Sequence, residues 1–354
     1  MIHPTSPHEG HLHAIGRGEG ALQACRDEAQ LPLTATSAPE RGRPVPWCQA
    51  MEQALYGPEG LYRRPEGPAA HYRTAPHVSP LFAEAVHRLA TAAGLRTVVD
   101  VGAGRGELLT SLYELEPQLR LIAVEVALRP ATLPDRIEWM PRMPVGLTAL
   151  VIANEWLDNV PLDIVTITAD GPRLVLVDPV TGDEEPGPRP CAKDLDWLST
   201  WWPLHHADIG DRAEIGYPRD EAWATVVSAL GGGVALAIDY GHLREARPRM
   251  GSLAGYRRGR LVAAVPDGSC DITAHVAMDS CAAAGTSAGA AASRLQTQRA
   301  ALTALGISGI RPPHDMARAD PRGYLRSLSA ATQAAELTDA SGLGAFLWLL
   351  QELG

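Results

Sequence analysis

Four apolar runs in this 354-residue sequence end in residues of the kinds that bind ligands or transfer groups. In VVDVGAGRG, Asp100 closes a β-branched run and is followed by Gly102, Ala103, Gly104 and Gly106. RLIAVEV reaches its acid at Glu125, nineteen residues after Gly106. TALVIAN ends at Asn154 and continues through Glu155 into WLDNVP, and GVALAID ends in Asp239-Tyr240-Gly241. A glycine turn after a strand lets the backbone approach a ligand, and an acid ~20 residues further on takes ribose hydroxyls. The spacing here is G-x-G-x-G, and Glu107 stands where a dinucleotide fingerprint has its third glycine. A carboxylate at a helix start opposes a pyrophosphate, which needs free amides and the positive end of the helix dipole. S-adenosylmethionine has no phosphate and carries a sulfonium cation, so the turn fits that cofactor better than NAD. Asp100 reads either as a turn former or as a group that faces the cofactor's amino group through water.

Asn154, Glu155, Asp158 and Asn159 form the cluster best suited to a substrate. If a helix starts at 155, Glu155 and Asp158 share one of its faces at i, i+3. Two carboxylates on one face can clamp a guanidinium, whose donors form a fork. N-capping by Asn154 or Asp158 is the plainer alternative. His275, in CDITAHVAMD, reads as a proton acceptor or as a hydrogen-bonded structural histidine. Tyr256, Arg257 and Arg258, in GSLAGYRRGR, read as a solvated basic loop.

These groups need a sheet to hold them. TVVDV, RLIAVEV, RIEWM, TALVIAN, DIVTIT with RLVLVD, and GVALAID have strand composition, and helical patterns fall between most of them. This predicts an α/β fold with a Rossmann-like, largely parallel sheet, helices on both faces, and ligands beyond the carboxyl ends of the strands. Two helices precede the sheet, WCQAMEQALYG and LFAEAVHRLATAAG, the second opened by Ser79-Pro80 and closed by Gly94. The segments expected are a disordered tail over 1–45, a helical lid over 46–96, a core over 97–285 with an insertion around 166–211, and a helical extension over 286–354. The tail's His3, His8, His11 and His13 read as an accidental cluster rather than a metal site. The extension is Ala-rich and reads as helical over 286–305, with LGAFLWLLQEL as its last helix, and a small inserted or C-terminal substrate region is expected.

Composition narrows the function. Against 31 basic residues stand 41 acidic ones, a formal charge of −10, whereas phosphate binding needs a basic face, so a nucleic-acid partner is disfavoured. No apolar run approaches bilayer length, and the N-terminus lacks a basic head before an apolar stretch. The five cysteines are scattered and never spaced C-x-x-C, so neither a zinc site nor a disulfide framework is expected, and a reducing cytoplasm is.

The ordered series HYRTAPHVSPLFAEAV, VVDVGAGRGELLTSL, VIANEWLDNVPLDIV, LAIDYGH, GSLAGYRRGRLV, DITAHV and LQTQRAALTALGI resembles the MidA-like family, bacterial relatives of the mitochondrial complex I assembly factor with arginine methyltransferase activity. The resemblance implies a class I S-adenosylmethionine-dependent methyltransferase with a helical region over its site. It carries cofactor roles onto Gly102, Gly104, Gly106 and Glu125, and places the family's Asn-Glu-x-x-Asp segment on Asn154, Glu155 and Asp158. It also makes RTAPHVSPLF a loop that closes on the cofactor, with Thr74 and Ser79 as its polar members. The chain departs from the family at 70–75, AHYRTA, where members often have Gly-Asp-Phe before Thr-Ser, and at Val126-Ala127, where many have Ser-Pro. The expected activity is N-methylation of arginine in a protein or peptide, with Glu155 and Asp158 holding the guanidinium and His275 or a carboxylate taking the proton. A small-molecule O- or N-acceptor and a non-catalytic, cofactor-binding assembly factor are the alternatives. The expected partner bears a cationic side chain, and a homodimer is compatible with all three.

Overall fold

The computed structural model describes residues 42–64 and 74–354. The tail before residue 42, its four histidines, and the 70–73 part of the cofactor loop lie outside them. In chain order, α1 (Trp47–Met51), α2 (Ala75–Val78) and α3 (Pro80–Ala92) lead into β1 (Thr97–Val101), α4 (Glu107–Leu115), β2 (Arg120–Val124), β3 (Ile137–Met140) and β4 (Leu147–Asn154). An excursion follows through β5 (Ile164–Thr168), β6 (Gly171–Val177) and α5 (Ala192–Trp201). The chain returns by α6 (Tyr217–Ala229) to β7 (Leu230–Asp239), then makes β8 (Ala254–Arg257), β9 (Arg260–Val262) and β10 (Asp271–Thr273). It closes with α7 (Met278–Ser287), β11 (Ala292–Thr297), α8 (Gln298–Ala304), α9 (Pro321–Leu337) and β12 (Leu347–Leu353).

The main sheet has the order β11-β12-β7-β4-β1-β2-β3. β7, β4, β1, β2 and β3 pair in parallel, and β12 runs antiparallel between β7 and β11. The direction of winding reverses between β1 and β4, which opens a crevice at their carboxyl ends. Both faces of the sheet are covered. Val98, Leu121, Leu150 and Ile152 belong to the core shared with α3 and α4, while Val99, Ile122, Val151 and Ala153 belong to the core shared with α6 and α7. Alternate residues of one strand thus enter different cores, which explains why these strands read as unbroken apolar runs. Ser79 caps α3 as its sequence suggests, its hydroxyl accepting the Leu81 amide at 3.1 Å.

Three expectations need correction. LGAFLWLLQEL is not a helix, because 347–353 forms β12. Trp348 and Leu350 pack on one face of the sheet and Leu347, Leu349 and Leu353 on the other. A short run buried on both sides lacks the alternation that would mark it as a strand. Residues 286–305 are not one helix either, since α7 stops at Ser287 and β11 intervenes before α8, so 286–354 is not a purely helical extension. Finally, DIVTIT and RLVLVD lie outside the main sheet. They form the antiparallel β5–β6 hairpin of a second sheet, completed by Val45–Pro46, Glu184–Pro186 and Arg212–Glu214. That sheet shares a core with α1 through Trp47, Met51, Leu55, Ile164 and Val175. Among the described residues no helix is long and apolar enough to cross a membrane, and no group of three His, Cys, Asp or Glu is placed to hold a metal ion.

Candidate active site at the carboxyl ends of the strands

The glycine turn leaves β1 with all three glycines in the left-handed region, at φ 73° for Gly102, 59° for Gly104 and 84° for Gly106. Their surroundings differ. A Cβ on Gly102 would meet Trp156 Cδ1 at 2.6 Å, and one on Gly106 would meet Leu133 Cδ1 at 2.6 Å. At those two positions the packing leaves no room for a side chain. A Cβ on Gly104 would find only Glu107 Oε2, at 3.5 Å, among the described residues, so this backbone faces space that they leave open. Ala103, between them, is buried.

Carboxylates already hold the amides of this turn. Glu125, just beyond β2, accepts from the Gly104 amide at 3.0 Å and from the Val126 and Ala127 amides at 2.6 and 3.0 Å. Glu107 accepts from the Arg105 amide at 3.1 Å and pairs with His77 Nε2 of α2 at 3.2 Å. Burial raises the Glu107 pKa, but the hydrogen bond and charge of His77 and two backbone amides outweigh it and hold the carboxyl below its ordinary value. A pyrophosphate would have to displace both carboxylates, so the turn suits a ligand without phosphate. Asp100, buried at the end of β1, has its pKa driven up by burial and then by the charges of Glu107 and Glu125.

The second wall follows β4. Asn154 donates through Nδ2 to Glu155 Oε1 at 3.1 Å, while its own Oδ1 is buried with no partner among the described residues. A buried acceptor left open at a strand end is one that a bound ligand can satisfy. Glu155 adopts φ 52°, an uncommon conformation for a side-chain-bearing residue and one that clusters at functional sites. Its Oε1 also accepts from the Ala75 amide at 3.4 Å, and its Oε2 from the Tyr240 hydroxyl at 3.2 Å. Burial, and next the charge of Asp158, push the Glu155 pKa up to about 8.

Asp158 sits on a single tight turn, Leu157–Asn159, rather than on the helix face expected. The Thr273 hydroxyl donates to its Oδ2, and its Oδ1 is buried without a partner among the described residues. Burial raises its pKa to about 6 against the opposing effects of Thr273 and Arg219. Asp239, at the end of β7, anchors this turn by accepting from the Leu157 and Asp158 amides at 3.0 and 3.2 Å.

Glu155 and Asp158 converge on one cavity of about 290 Å³. Tyr240, Tyr256, Asp271 and Thr273 line it with them, and Leu343 and Phe346 bound it from the turn before β12. Asp271 accepts from the Tyr62 hydroxyl and from Asn159 Nδ2, both at 3.2 Å. Phe346 meets the Tyr240 ring edge-on at 4.3 Å between centroids. Three carboxyl groups and an aromatic pair thus surround one small space.

The remaining site candidates fall nearby in different roles. Thr74 bonds its hydroxyl to His77 Nδ1 at 2.8 Å at the start of α2. Ser79 donates to Gln333 of α9 at 2.6 Å in addition to capping α3, so its hydroxyl ties two helices together. α2 therefore bridges both walls, touching Glu107 through His77 and Glu155 through the Ala75 amide. His275 does not line the cavity; its ring stacks on Tyr240 at 5.9 Å, and burial and the charge of Arg219 lower its pKa.

Arg219 was not legible as a site residue. Fully buried on α6, it donates to the carbonyls of Val160, Ala274, His275 and Asp158, which fixes the 158–160 turn against the 273–275 strand end. Its sequence neighbourhood, RDEAW, is that of an ordinary helix start. Tyr256 and Asp271 escaped notice as cavity residues because only the return of β8 and β10 to one another brings them there.

A family model for S-adenosyl-L-methionine-dependent methyltransferases matches residues 81–296, which span both walls of the crevice. Among solved structures, the chain is similar to a COG1565 superfamily member from Burkholderia thailandensis bound to S-adenosyl-homocysteine, at 26% identity and TM-score 0.71, covering 94% of this chain and 91% of that one. A native structure of a COG1565 superfamily protein from the same organism matches at 27% identity and TM-score 0.71, covering 94% and 90%. No curated protein matches the sequence. The phosphate-averse turn, the open face of Gly104 and the unpaired Asn154 acceptor agree with these likenesses. The chain has the Rossmann-like class I fold and belongs to the S-adenosyl-L-methionine-dependent methyltransferases, within the COG1565/MidA-like superfamily, and S-adenosyl-L-methionine is its cofactor.

Proposed function

We propose that this methyltransferase acts on a nitrogen of a cationic side chain, arginine in a protein or peptide. The observation that carries the reading is the convergence of Glu155, Asp158 and Asp271 with Tyr240, Tyr256 and Phe346 around one cavity beside the glycine turn. In this reading Glu125 takes the ribose hydroxyls, the Gly104 backbone lies against the cofactor, and Asn154 Oδ1 accepts from one of its donors. The bound cofactor supplies an electrophilic methyl group on a sulfonium centre.

The chain's own residues would do the rest. Guanidinium is a poor nucleophile because its charge is delocalised. Glu155 and Asp158 would hold its other nitrogens, which draws positive charge away from the attacking one and fixes its line of approach. As the new N–C bond forms and the methyl–sulfur bond breaks, that nitrogen must lose one proton, and the product stays cationic. Glu155, ionised on meeting the cation and held beside the attacking nitrogen, would be placed to accept that proton, and its pKa of about 8 suits such an exchange near neutral pH. His275 lies outside the cavity lining, so the carboxylate is the better acceptor of the two candidates.

A cavity of about 290 Å³ is also small enough to favour, as a second reading, a small cationic acceptor free in solution. Transfer of labelled methyl to a peptide with one arginine, set beside the same peptide with citrulline and beside free arginine, tests the reading. Label on the arginine peptide alone is expected. Equal labelling of the citrulline peptide, or labelling of the free amino acid only, would count against it.

A further inference from the structure

The β8–β9 hairpin is built against its own stability. Its register sets Arg257 directly opposite Arg260, and like charges facing each other across a hairpin repel. The two residues between them, Arg258 and Gly259, have φ 52° and 72°. A two-residue loop with both φ positive prefers Asn-Gly or Asp-Gly, and an arginine in the left-handed region is disfavoured. All three arginines are exposed, and none of their guanidinium groups makes an ion pair or hydrogen bond within the described residues. Two local rules are broken here without a compensating contact among the described residues, a pattern expected at functional sites.

The hairpin's place says which partner. Tyr256, the residue before Arg257, lines the acidic cavity, and so does Asp271, its neighbour across β8 and β10. One strand residue advances about 3.3 Å and side chains alternate between faces, so Arg257 and Arg260 start one residue from the cavity wall on the other face of the hairpin, with Arg258 at its tip. A nucleic acid is disfavoured, because Glu155, Asp158 and Asp271 stand next to the hairpin and the chain carries a net −10. A peptide with a cationic acceptor and acids a few residues away matches both surfaces at once.

We infer that the Arg257–Arg258–Arg260 tip is a docking arm for acidic residues flanking the acceptor of a protein substrate. This rests on reading the cavity as the acceptor site. The test is fluorescence anisotropy on the full chain with S-adenosyl-homocysteine present. The probes are a short labelled peptide with a central arginine flanked by glutamates, its glutamine counterpart, its citrulline counterpart, and a duplex DNA. At low ionic strength the glutamate peptide should bind about tenfold tighter than the glutamine one, and salt should erode the difference. The preference should vanish in R257Q/R258Q/R260Q. R258N, which suits the turn better, should raise Tm while weakening the glutamate peptide, an outcome that a structural arginine would not give. Equal binding of the glutamate and glutamine peptides, a preference that survives the triple variant, or tighter binding of the DNA would overturn the inference. If the citrulline peptide binds as well as the arginine one while the glutamate preference holds, the docking arm stands and the cavity reading falls.

Discussion

Glu155→Gln removes the one cavity carboxylate whose ionisation straddles neutral pH. Its pKa is raised to about 8, by burial first and by the charge of Asp158 next. At pH 7 the carboxyl is therefore about nine-tenths protonated, and ionising it to meet a cation costs about 1.4 kcal/mol, the equivalent of one pH unit. A hydrogen bond between guanidinium and carboxylate contributes about 1.5–3 kcal/mol. The net contribution of Glu155 at pH 7 is then about 0–1.5 kcal/mol, and the full amount is recovered about one unit above its pKa. The glutamine variant should weaken acceptor binding by no more than about tenfold at pH 7 and by about 10–150-fold near pH 9. The assay is binding of an arginine peptide in the presence of S-adenosyl-homocysteine, repeated across pH. Wild-type affinity should climb by about tenfold per pH unit and level off above about pH 8, while the variant stays flat over that interval. An equal penalty at low and high pH would refute the argument, because it would mean that the Glu155 charge takes no part in holding the acceptor.

Other outcomes follow from the same buried groups. Glu155, Asp158 and Asp220 have folded pKa values raised to about 8, 6 and 6, above their ordinary 4.5, 3.8 and 3.8. The folded chain therefore retains protons that the unfolded chain releases, and the stability this gives is complete below about pH 4 and lost as pH rises through about 6 and then about 8. Tm of the cofactor-free protein should fall between about pH 5 and pH 8.5, and a rise across that range would contradict the burial of these groups. Gly104→Ala should leave the fold intact, at a cost of about 1–2 kcal/mol for its φ of 59°, and weaken cofactor binding in calorimetry. Gly106→Ala should instead destabilise the chain more strongly, because its Cβ would meet Leu133 at 2.6 Å. Arg219→Ala takes a donor from four carbonyls, of which that of Asp158 keeps the Ala274 amide, and should lower unfolding stability in urea by about 3–5 kcal/mol.

The parallel half of the sheet was legible because strand, glycine turn and helix follow one another locally. β1, the turn at 102–106, β2 and Glu125 are all visible as pattern and spacing. β12 was not, since burial on both faces erased its alternation and left a run that fits a helix equally well. The β5–β6 hairpin was recognisable as strands but not as part of a second sheet, because its partners at 45–46 and 212–214 are remote in sequence. The NEWLDNVP motif singles out Glu155 and Asp158 through a shared helix face, and the structure brings both to one cavity by another route. A strained strand end and a tight turn bring them together, not a shared helix face. Asp271, Tyr256 and Arg219 join them only through tertiary contacts, for which no local spacing is a signal.

The central claim is that this cavity presents a cationic nitrogen to the methyl donor. The most direct measurement is mass spectrometry of an arginine-containing protein or peptide after incubation with methyl-labelled S-adenosyl-L-methionine, with fragmentation that locates the labelled atom. Label is expected on a guanidinium nitrogen, reduced in Glu155→Gln and more so near pH 9 than at pH 7, with cofactor binding retained. Label on an oxygen or carbon atom, or guanidinium labelling undiminished in that variant, would contradict the claim.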